Sequence, residues 1–271
     1  MKYKIVSTDF DDTLLRDDNS ISEFTKTIVQ KYIKNGGTFL INTGRMIASI
    51  AKRAKEFGFS GKVVGYQGAM IYDLDKDEII YHKPINCESA VKLLKRIETM
   101  GFNINMYIDD KLHYNHSSDY TRTYERISDI VGVEVGDDLS GYVLKNKVNV
   151  TKILVYTDPA IVKRLIKEIN EELKGLFYCC YSKPFFFEAM APGVNKGTAC
   201  KYVADSMKID MQDVIALGDS LNDVPMLEMA GLSFAVANAQ SLAKGAADFI
   251  CESNNDDGVA KVIEKYCLSD I

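Results

Sequence analysis

Histidine is scarce in this sequence, with three among 271 residues, at 82, 113 and 116. Structural and catalytic zinc sites are built largely from His and Cys, and a Ser-His-Asp hydrolase needs a histidine as its base. Basic residues are also in the minority, since 33 Lys and Arg face 38 Asp and Glu, for a formal net charge of -5. The sequence therefore argues against a zinc enzyme, a serine hydrolase and a basic nucleic-acid-binding face.

Paired cysteines and long apolar runs are missing as well. Six cysteines are scattered without a CxxC pair, and the adjacent Cys179 and Cys180 would point to opposite faces of a strand. This pattern favours reduced thiols in a cytoplasmic protein. No apolar run approaches the length of a membrane span, and the first four residues lead directly into a strand without the shape of a signal peptide. We expect no membrane partner.

Two parts of the chain alternate strands with helices. Apolar runs typical of buried strands begin at Ile5 and occupy 38–42, 62–66, 213–217, 232–236 and 248–251. Between them lie helical patterns, such as the recurrence of Phe24, Ile28 and Tyr32 after a possible capping Ser20 or Ser22. This alternation predicts an α/β fold with a doubly wound, Rossmann-like parallel sheet.

The alternation of strands and helices stops at Pro84 and resumes near residue 187. The intervening pattern is helix, two strands, helix (119–130), strand (152–156), helix and two closing strands. About 100 residues of this kind form a unit of ordinary domain size. We therefore predict a core made of 1–83 and 187–271, with an α+β unit inserted at 84–186.

Three carboxylates, Asp9, Asp11 and Asp12, follow the first strand within four positions. Two carboxylates about 4 Å apart repel by roughly 4 kcal/mol at an effective dielectric near 20, so a cation is expected between them. A calcium loop counted from Asp9 would need Gly and Glu where Leu14 and Ser20 stand. A solvated Asp-rich turn remains a reasonable alternative when the segment is considered alone.

Other polar residues follow neighbouring strands or open helices, and parallel sheets bind ligands at the carboxyl ends of their strands. These residues are Thr43, Lys196, Asp219, Asn222 and Asp223. Each one has a plain explanation as a helix cap, a solvated lysine or a first-turn polar residue. Together with Asp9 and Asp11 they form an all-oxygen ligand set that suits Mg²⁺, and donors that suit phosphate. The combination indicates phosphoryl transfer through an aspartyl phosphate.

Four segments resemble the motifs of the haloacid dehalogenase superfamily of phosphatases, in the same chain order. They are Asp9-Phe-Asp11-Asp12-Thr13 (the DxDxT motif), Ile-Asn-Thr43-Gly-Arg, Gly-Val-Asn-Lys196-Gly and Gly-Asp219-Ser-Leu-Asn222-Asp223. The resemblance covers essentially the whole chain, including the inserted unit. It is strongest to the Cof-like group of sugar-phosphate and cofactor phosphatases, which carry a large α/β cap.

The resemblance implies a role for each matching residue. Asp9 would be the nucleophile, and Asp11 the general acid and then the general base. Magnesium would be the cofactor. Its expected ligands are Asp9, the backbone carbonyl of Asp11, Asp219 and Asp223, the last partly through water. The expected phosphate-binding groups are Thr43, the Gly44 amide, Lys196 and Asn222.

Two positions depart from the group's usual pattern. Asp12 replaces a common Gly, although other branches carry Asp there. Gln67 replaces Asn before Gly-Ala, at a position that borders the substrate entrance, so it bears on specificity.

The sequence predicts an enzyme that hydrolyses a small phosphorylated metabolite, and other functional hypotheses stay open. A phosphomutase uses the same chemistry, and a protein that only binds a phosphorylated ligand has the same fold. A signalling receiver domain is disfavoured by the position of Asp9 and by the insertion. Aromatic residues of the inserted unit, which most simply form its own core, are candidates for stacking on a substrate ring: Tyr107, Tyr114, Tyr181 and 185–187. The oligomeric state is not readable from the sequence.

Overall fold

The computed structural model describes residues 2–269, and at 127 and 128 it describes the backbone alone. The strands of this part of the chain are β1 Ile5–Thr8, β2 Thr38–Asn42, β3 Lys62–Gly65, β4 Met70–Asp73, β5 Glu78–His82, β6 Asn103–Ile108, β7 Lys111–Tyr114, β8 Val133–Glu134, β9 Lys152–Tyr156, β10 Tyr178–Cys180, β11 Phe186–Met190, β12 Val214–Gly218, β13 Leu232–Val236 and β14 Phe249–Cys251. Its α-helices are α1 Glu23–Lys34, α2 Ile47–Glu56, α3 Cys87–Ile97, α4 Asp119–Ser128, α5 Leu139–Asn146, α6 Pro159–Glu172, α7 Lys196–Ser206, α8 Val224–Met229, α9 Ser241–Ala246 and α10 Gly258–Cys267.

The larger sheet has eight strands in the order β14-β13-β12-β1-β2-β3-β4-β5. The six strands from β14 to β3 are parallel, and β4 and β5 add an antiparallel hairpin at one edge. Successive strand residues serve opposite faces. Val6 packs in the cluster that includes α1, α2 and α10, whereas Ile5 packs in the cluster that includes α7 and α8. Helices therefore cover both faces, and the predicted doubly wound α/β fold is confirmed.

The smaller sheet has six strands in the order β10-β11-β9-β6-β7-β8. Strand β11 pairs antiparallel with both β9 and β10. Because β11 extends to Met190, the sheet runs past 186, where we predicted the return to the core. We use "cap" for the part from Pro84 to Met190 and "core" for the rest.

Three elements of the cap, and the start of one core helix, differ from the sequence-based prediction. Helix α5 and the two-residue strand β8 were not predicted, and α4 ends at Ser128 rather than at 130. Helix α1 begins after Ser22, whose side chain accepts a hydrogen bond from the Thr25 amide, so Ser22 and not Ser20 is the N-cap.

Cap and core share one hydrophobic cluster. Tyr66 of the core and Tyr107 of the cap pack edge to face, with ring centroids 5.3 Å apart. The six cysteines, all within the described residues, are free thiols. Among the helices that the structure describes, none has the length and apolar character needed to cross a membrane.

Candidate active site

The carboxyl ends of β1, β2 and β12 meet at the edge of the core sheet that faces the cap. Asp9 follows β1, and its backbone amide donates to the carbonyl of Leu217 at 2.9 Å, so the two strands stay adjacent beyond the end of β1. Asp219 follows β12, and Thr43 follows β2. The parallel pairing thus brings three separated segments together, as expected for ligand sites in such sheets.

Lys196 joins two carboxylates at the centre of this edge. Its Nζ donates to Asp9 Oδ1 and to Asp223 Oδ1, both at 2.6 Å, and its side chain is fully buried. It is the first residue of α7, and a reciprocal capping box between Asn195 and Thr198 fixes the start of that helix. Burial alone would lower the pKa of Lys196, but the attraction of Asp223 and Asp9 outweighs it and holds the pKa above its ordinary value.

Asp219 and Asp223 are held by short-range hydrogen bonds. Asp223 Oδ2 accepts from the amides of Asp219 at 2.9 Å and Ser220 at 3.0 Å. Asp219 accepts from Ser220 Oγ at 2.7 Å and Thr13 Oγ1 at 3.1 Å. These bonds orient both carboxylates toward the position of Asp9.

Asp9, Asp219 and Asp223 form a crowded acidic cluster. One carboxylate oxygen from each lies within 4.8 Å of the others, the one such group with metal-binding potential among residues 2–269. Burial, followed by repulsion from neighbouring acids, raises the pKa of Asp9 well above its usual value, and burial with Asp223 raises that of Asp219 to about 6. A single lysine cannot balance three carboxylates, so this oxygen-only set suits a hard divalent cation such as Mg²⁺.

The side chain of Asp11 pairs with Arg45. Arg45 Nε donates to Asp11 Oδ2 at 2.9 Å, and Nη2 donates to Oδ1 at 2.7 Å. Burial would raise the pKa of Asp11, but the hydrogen bonds and charge of Arg45 outweigh it and lower the pKa. Sequence reasoning assigned no role to Arg45, although its place two residues after Thr43, at the end of β2, was a usable signal.

Three predicted phosphate-binding residues line the same cavity as Asp9. Thr43 is buried, and its Oγ1 accepts from the Arg45 amide at 3.2 Å. Gly44 lies beside it, and Asn222 reaches the cavity from the loop after β12. The Nδ2 atom of Asn222 donates to Gln67 Oε1 at 2.9 Å. Every residue predicted for the site therefore lies in this region of the molecule.

A cavity of about 400 Å³ lies between core and cap. On the cap side its lining includes five aromatic side chains, two lysines and a glutamate: Tyr120, Tyr124, Lys152, Tyr156, Lys183, Phe185, Phe186 and Glu188. Tyr120 and Tyr156 stack, with centroids 4.4 Å apart and planes 6° from parallel. The cavity thus has an ionic end beside Asp9 and an aromatic wall opposite.

The aromatic residues predicted to face a substrate were only partly the right ones. Phe185 and Phe186 line the cavity, but Tyr107, Tyr114 and Phe187 are buried in the hydrophobic cluster, the simpler alternative for such residues. Tyr181 packs against the same cluster and does not line the cavity. The cavity-lining Tyr120 and Tyr124 were missed, although their spacing of four places them on one face of α4.

Polar contacts hold the cap over the core at several points. Lys152 Nζ donates to the Gly44 carbonyl at 2.7 Å, and Lys183 pairs with Asp12. Asp110, in the turn between β6 and β7, accepts from the amides of Ile47 and Ala48 at 3.0 and 2.8 Å and so caps α2. Asp12, noted in the sequence as a departure from the usual Gly, is therefore a cap contact.

Comparisons with known proteins agree with this architecture. The profile of the haloacid dehalogenase-like hydrolase family matches residues 6–263. A 5-amino-6-(5-phospho-D-ribitylamino)uracil phosphatase of Bacillus subtilis is 28% identical, with 98% of this chain and 96% of that protein aligned. A phosphoglycolate phosphatase of Methanobrevibacter smithii is 26% identical, with 99% of this chain and all of that protein aligned.

Solved structures point the same way. The crystal structure of a haloacid dehalogenase-like hydrolase from Bacteroides thetaiotaomicron superposes with a TM-score of 0.82 at 26% identity, covering 97% of this chain and 99% of that one. The sequence-based predictions of the family and of a hydrolase acting on phosphoric monoesters are confirmed by these matches. The chain belongs to the haloacid dehalogenase-like hydrolases.

Proposed function

We propose that the protein is a magnesium-dependent phosphatase that hydrolyses small phosphorylated metabolites through a phosphorylated Asp9. The observation that carries the proposal is the buried arrangement of Asp9, Lys196 and Asp223, with Asp219 beside them. The nucleophile, the lysine cation and carboxylates suited to a metal meet at the polar end of the cavity, as phosphoryl transfer requires.

The acidic cluster supports the magnesium part of the proposal. Asp9, Asp219 and the backbone carbonyl of Asp11 would hold the ion, with Asp223 behind them. Magnesium, when bound, supplies the positive charge that lets a phosphate dianion approach clustered carboxylates. Lys196 alone leaves an excess of negative charge in the cluster, and this supports a need for the ion.

The first chemical step would form the phosphorylated enzyme. A carboxylate oxygen of Asp9 attacks phosphorus, and the bond between phosphorus and the ester oxygen breaks. Protonated Asp11 donates its proton to the departing oxygen, so that an alcohol leaves. Lys196, Thr43, the Gly44 amide and Asn222 hold the phosphoryl oxygens and stabilise their charge in the transition state.

The second step would return the enzyme to its starting state. Ionised Asp11 takes a proton from water, and the water oxygen attacks the phosphorus bound to Asp9. The bond between phosphorus and Asp9 breaks, inorganic phosphate leaves, and Asp11 is again protonated. Arg45 lowers the pKa of Asp11, which favours the ionised form that the second step needs over the protonated form that the first step needs.

The cap supports a role in recognising the leaving group. Its aromatic wall lines the cavity across from the ionic end, and Tyr120, Tyr156 and Phe185 offer ring faces or edges. One relative is named for a substrate that carries a uracil ring on a phosphorylated ribityl chain. We propose ring-bearing phosphate monoesters as the preferred class. The six free thiols support action in the reducing cytoplasm.

Phosphate release from a panel of metabolites tests the proposal. The panel should contain ring-bearing monoesters, hexose phosphates, phosphoglycolate and a sugar bisphosphate, each assayed with magnesium and with EDTA. We expect release that depends on magnesium and is greatest for ring-bearing esters. The Asp9→Asn variant serves as the matched control for contaminating phosphatase.

Two outcomes would contradict the proposal. Full turnover in EDTA would remove Asp9, Asp11 and Asp219 from a metal site. Transfer of phosphate between positions of a sugar, dependent on the bisphosphate and without release of inorganic phosphate, would identify a phosphomutase instead.

A further inference from the structure

A chain of buried hydrogen bonds runs from the cap to the phosphate end of the cavity. Glu188, on β11, accepts from Gln67 Nε2 at 2.8 Å. Gln67 Oε1 in turn accepts from Asn222 Nδ2 at 2.9 Å. All three side chains are buried, and Glu188 and Asn222 both line the cavity. The family-based roles account for Asn222 but not for Glu188 or Gln67.

Glu188 determines which group donates and which accepts in each bond of this hydrogen-bond chain. A carboxylate only accepts hydrogen bonds, so the Gln67 amide must present its NH₂ group to Glu188 and its oxygen to Asn222. Asn222 must then present its NH₂ group to Gln67, because a reversed amide would place two acceptor oxygens against each other. The orientation of Asn222 is thus set two side chains away, in the cap.

Glu188, the negatively charged end of the hydrogen-bond chain, is itself held in place. Lys152 Nζ lies 3.6 Å from Glu188 Oε2, and both side chains are almost fully buried. Ser182 Oγ donates to the other carboxylate oxygen, Oε1, at 2.5 Å. Lys152 also donates to the Gly44 carbonyl at 2.7 Å. Glu188 therefore has a compensating charge and a fixed geometry, the conditions under which a buried carboxylate can orient a neighbour.

Gln67 occupies a position that a glycine would fill with less backbone strain. Its φ is 58°, and that of the preceding Tyr66 is 54°, in the left-handed region that non-glycine residues rarely adopt. Its amide lies directly against Gly44, where an added Cβ would come within 2.4 Å of Gln67 Nε2. A long amide side chain at a strained backbone position points to a task for that side chain.

We propose that Glu188 and Gln67 are positioning residues that fix the Asn222 carboxamide with its nitrogen as the donor in the phosphate site. Each Asn222 Nδ2 carries two hydrogens, so one remains for a phosphoryl oxygen after the bond to Gln67. A reversed Asn222 would direct its oxygen toward the phosphate and repel it. The proposal rests on the proposed phosphatase function and deepens it, since it makes a cap residue part of phosphate recognition.

A double-mutant cycle between Glu188→Gln and Asn222→Ala tests the coupling. The replacement in Glu188→Gln keeps the size of the side chain but can present either end of its amide to Gln67, so it no longer imposes a direction. The measurements are the inhibition constant of inorganic phosphate against p-nitrophenyl phosphate, with magnesium, and kcat and KM for the same ester. Glu171→Gln is the matched control, because it makes the same replacement at an exposed position of α6 in the cap.

We expect Glu188→Gln to weaken phosphate binding about tenfold when Asn222 is present and less than about twofold in the Asn222→Ala background. Glu171→Gln should stay within about twofold of wild type. Gln67→Met, which keeps length and removes both bonds, should show the same dependence on Asn222, and it replaces Glu188→Gln if that variant does not fold.

Equal losses in both backgrounds, or no loss in either, would overturn the proposal and leave Glu188 as a structural residue. Failure of the proposed function is a different result. In that case the wild-type protein would neither hydrolyse p-nitrophenyl phosphate nor bind inorganic phosphate.

Discussion

Lys196 is the residue on which the charge balance of the site depends. Its ammonium lies between Asp9 and Asp223 at 2.6 Å from each, and no part of it reaches solvent. Removing it would leave two buried carboxylates without their partner, beside a third. The same group also offsets charge as the phosphoryl group transfers to Asp9.

Lys196→Met should lower kcat/KM by about a hundredfold or more, the usual scale for losing one electrostatic partner of a transition state. Steady-state kinetics with p-nitrophenyl phosphate measure it. Lys201→Met is the control, since Lys201 lies on the same helix, is half exposed and pairs with Asp205 at the surface. Activity within about twofold of wild type in Lys196→Met would show that Lys196 takes no part in catalysis.

The sequence predicted the positions of single site residues well, but it did not predict how their side chains pair. The short motifs located Asp9, Thr43 and Asp219, because strand ends in a parallel sheet converge regardless of loop conformation, and they located Lys196 at the first position of α7. The bidentate Arg45–Asp11 pair and the Gln67–Glu188 bond were not predicted. They join residues 34 and 121 positions apart, and only tertiary packing decides such pairings.

At the scale of elements, one carboxylate ties two helices together. Asp257 precedes α10, and its Oδ1 accepts from Arg16 Nη2 at 2.8 Å, from Ser22 Oγ at 2.6 Å and from Thr25 Oγ1 at 3.1 Å. Ser22 is also the N-cap of α1. Burial would raise the pKa of Asp257, but the hydrogen bonds from Ser22, Arg16 and Thr25 outweigh it and lower the pKa.

Asp257→Asn should lower the free energy of unfolding by about 2 kcal/mol at neutral pH, the scale of hydrogen bonds to a charged group. Because the folded-state pKa is depressed, this stabilisation is fully present above the unfolded value of about 3.9 and is lost as pH falls through the folded-state pKa. Urea unfolding of both proteins from pH 7 downward measures the difference. Asn tolerates the positive φ of 61° at this position.

The control for this comparison is Glu264→Gln, an exposed carboxylate on the same helix. Its effect on stability should stay within about 0.5 kcal/mol across the pH range. A difference between wild type and Asp257→Asn that does not shrink toward acid pH would contradict the role assigned to the charge of Asp257.

Strands and helices were predicted best where their hydrophobic pattern was clear. The strands of the core were located because buried parallel strands read as short apolar runs, and its helices were located except the six-residue α9, which was not predicted. Helix α5 was missed because it is short and contains Gly141, a poor helix former. The end of the cap was placed too early because the apolar run of β11 does not reveal which sheet it joins.

At the scale of the whole molecule, the acidic cluster and the aromatic wall belong to different parts of the chain. Asp9, Lys196 and the Asp219–Asp223 pair lie in the core, whereas the aromatic wall lies in the cap. We propose that the core carries the chemistry and the cap the specificity. Contacts such as Lys152 to Gly44 and Asp110 to the start of α2 hold the cap in place over the core.

Replacing residues 84–190 with a short Gly-Ser linker should separate the two roles. Magnesium binding, measured by calorimetry, should persist because the acidic cluster keeps its core scaffold. The kcat/KM for ring-bearing phosphates should fall about a hundredfold or more relative to that for acetyl phosphate, because the binding energy of the leaving group is lost. An unchanged ratio between the two substrates would contradict a specificity role for the cap.

The central claim, a phosphorylated Asp9 served by Asp11, is tested most directly by a burst experiment on Asp11→Asn. Proton donation matters little for a good leaving group such as p-nitrophenolate, whereas the second step needs a base whatever has left. With p-nitrophenyl phosphate, Asp11→Asn should release up to one equivalent of p-nitrophenolate per enzyme and then slow greatly. Mass spectrometry should find the retained phosphate on Asp9, and Asp9→Asn should show no burst. A burst in Asp9→Asn, or phosphate found on Asp11 or Asp219, would contradict the account.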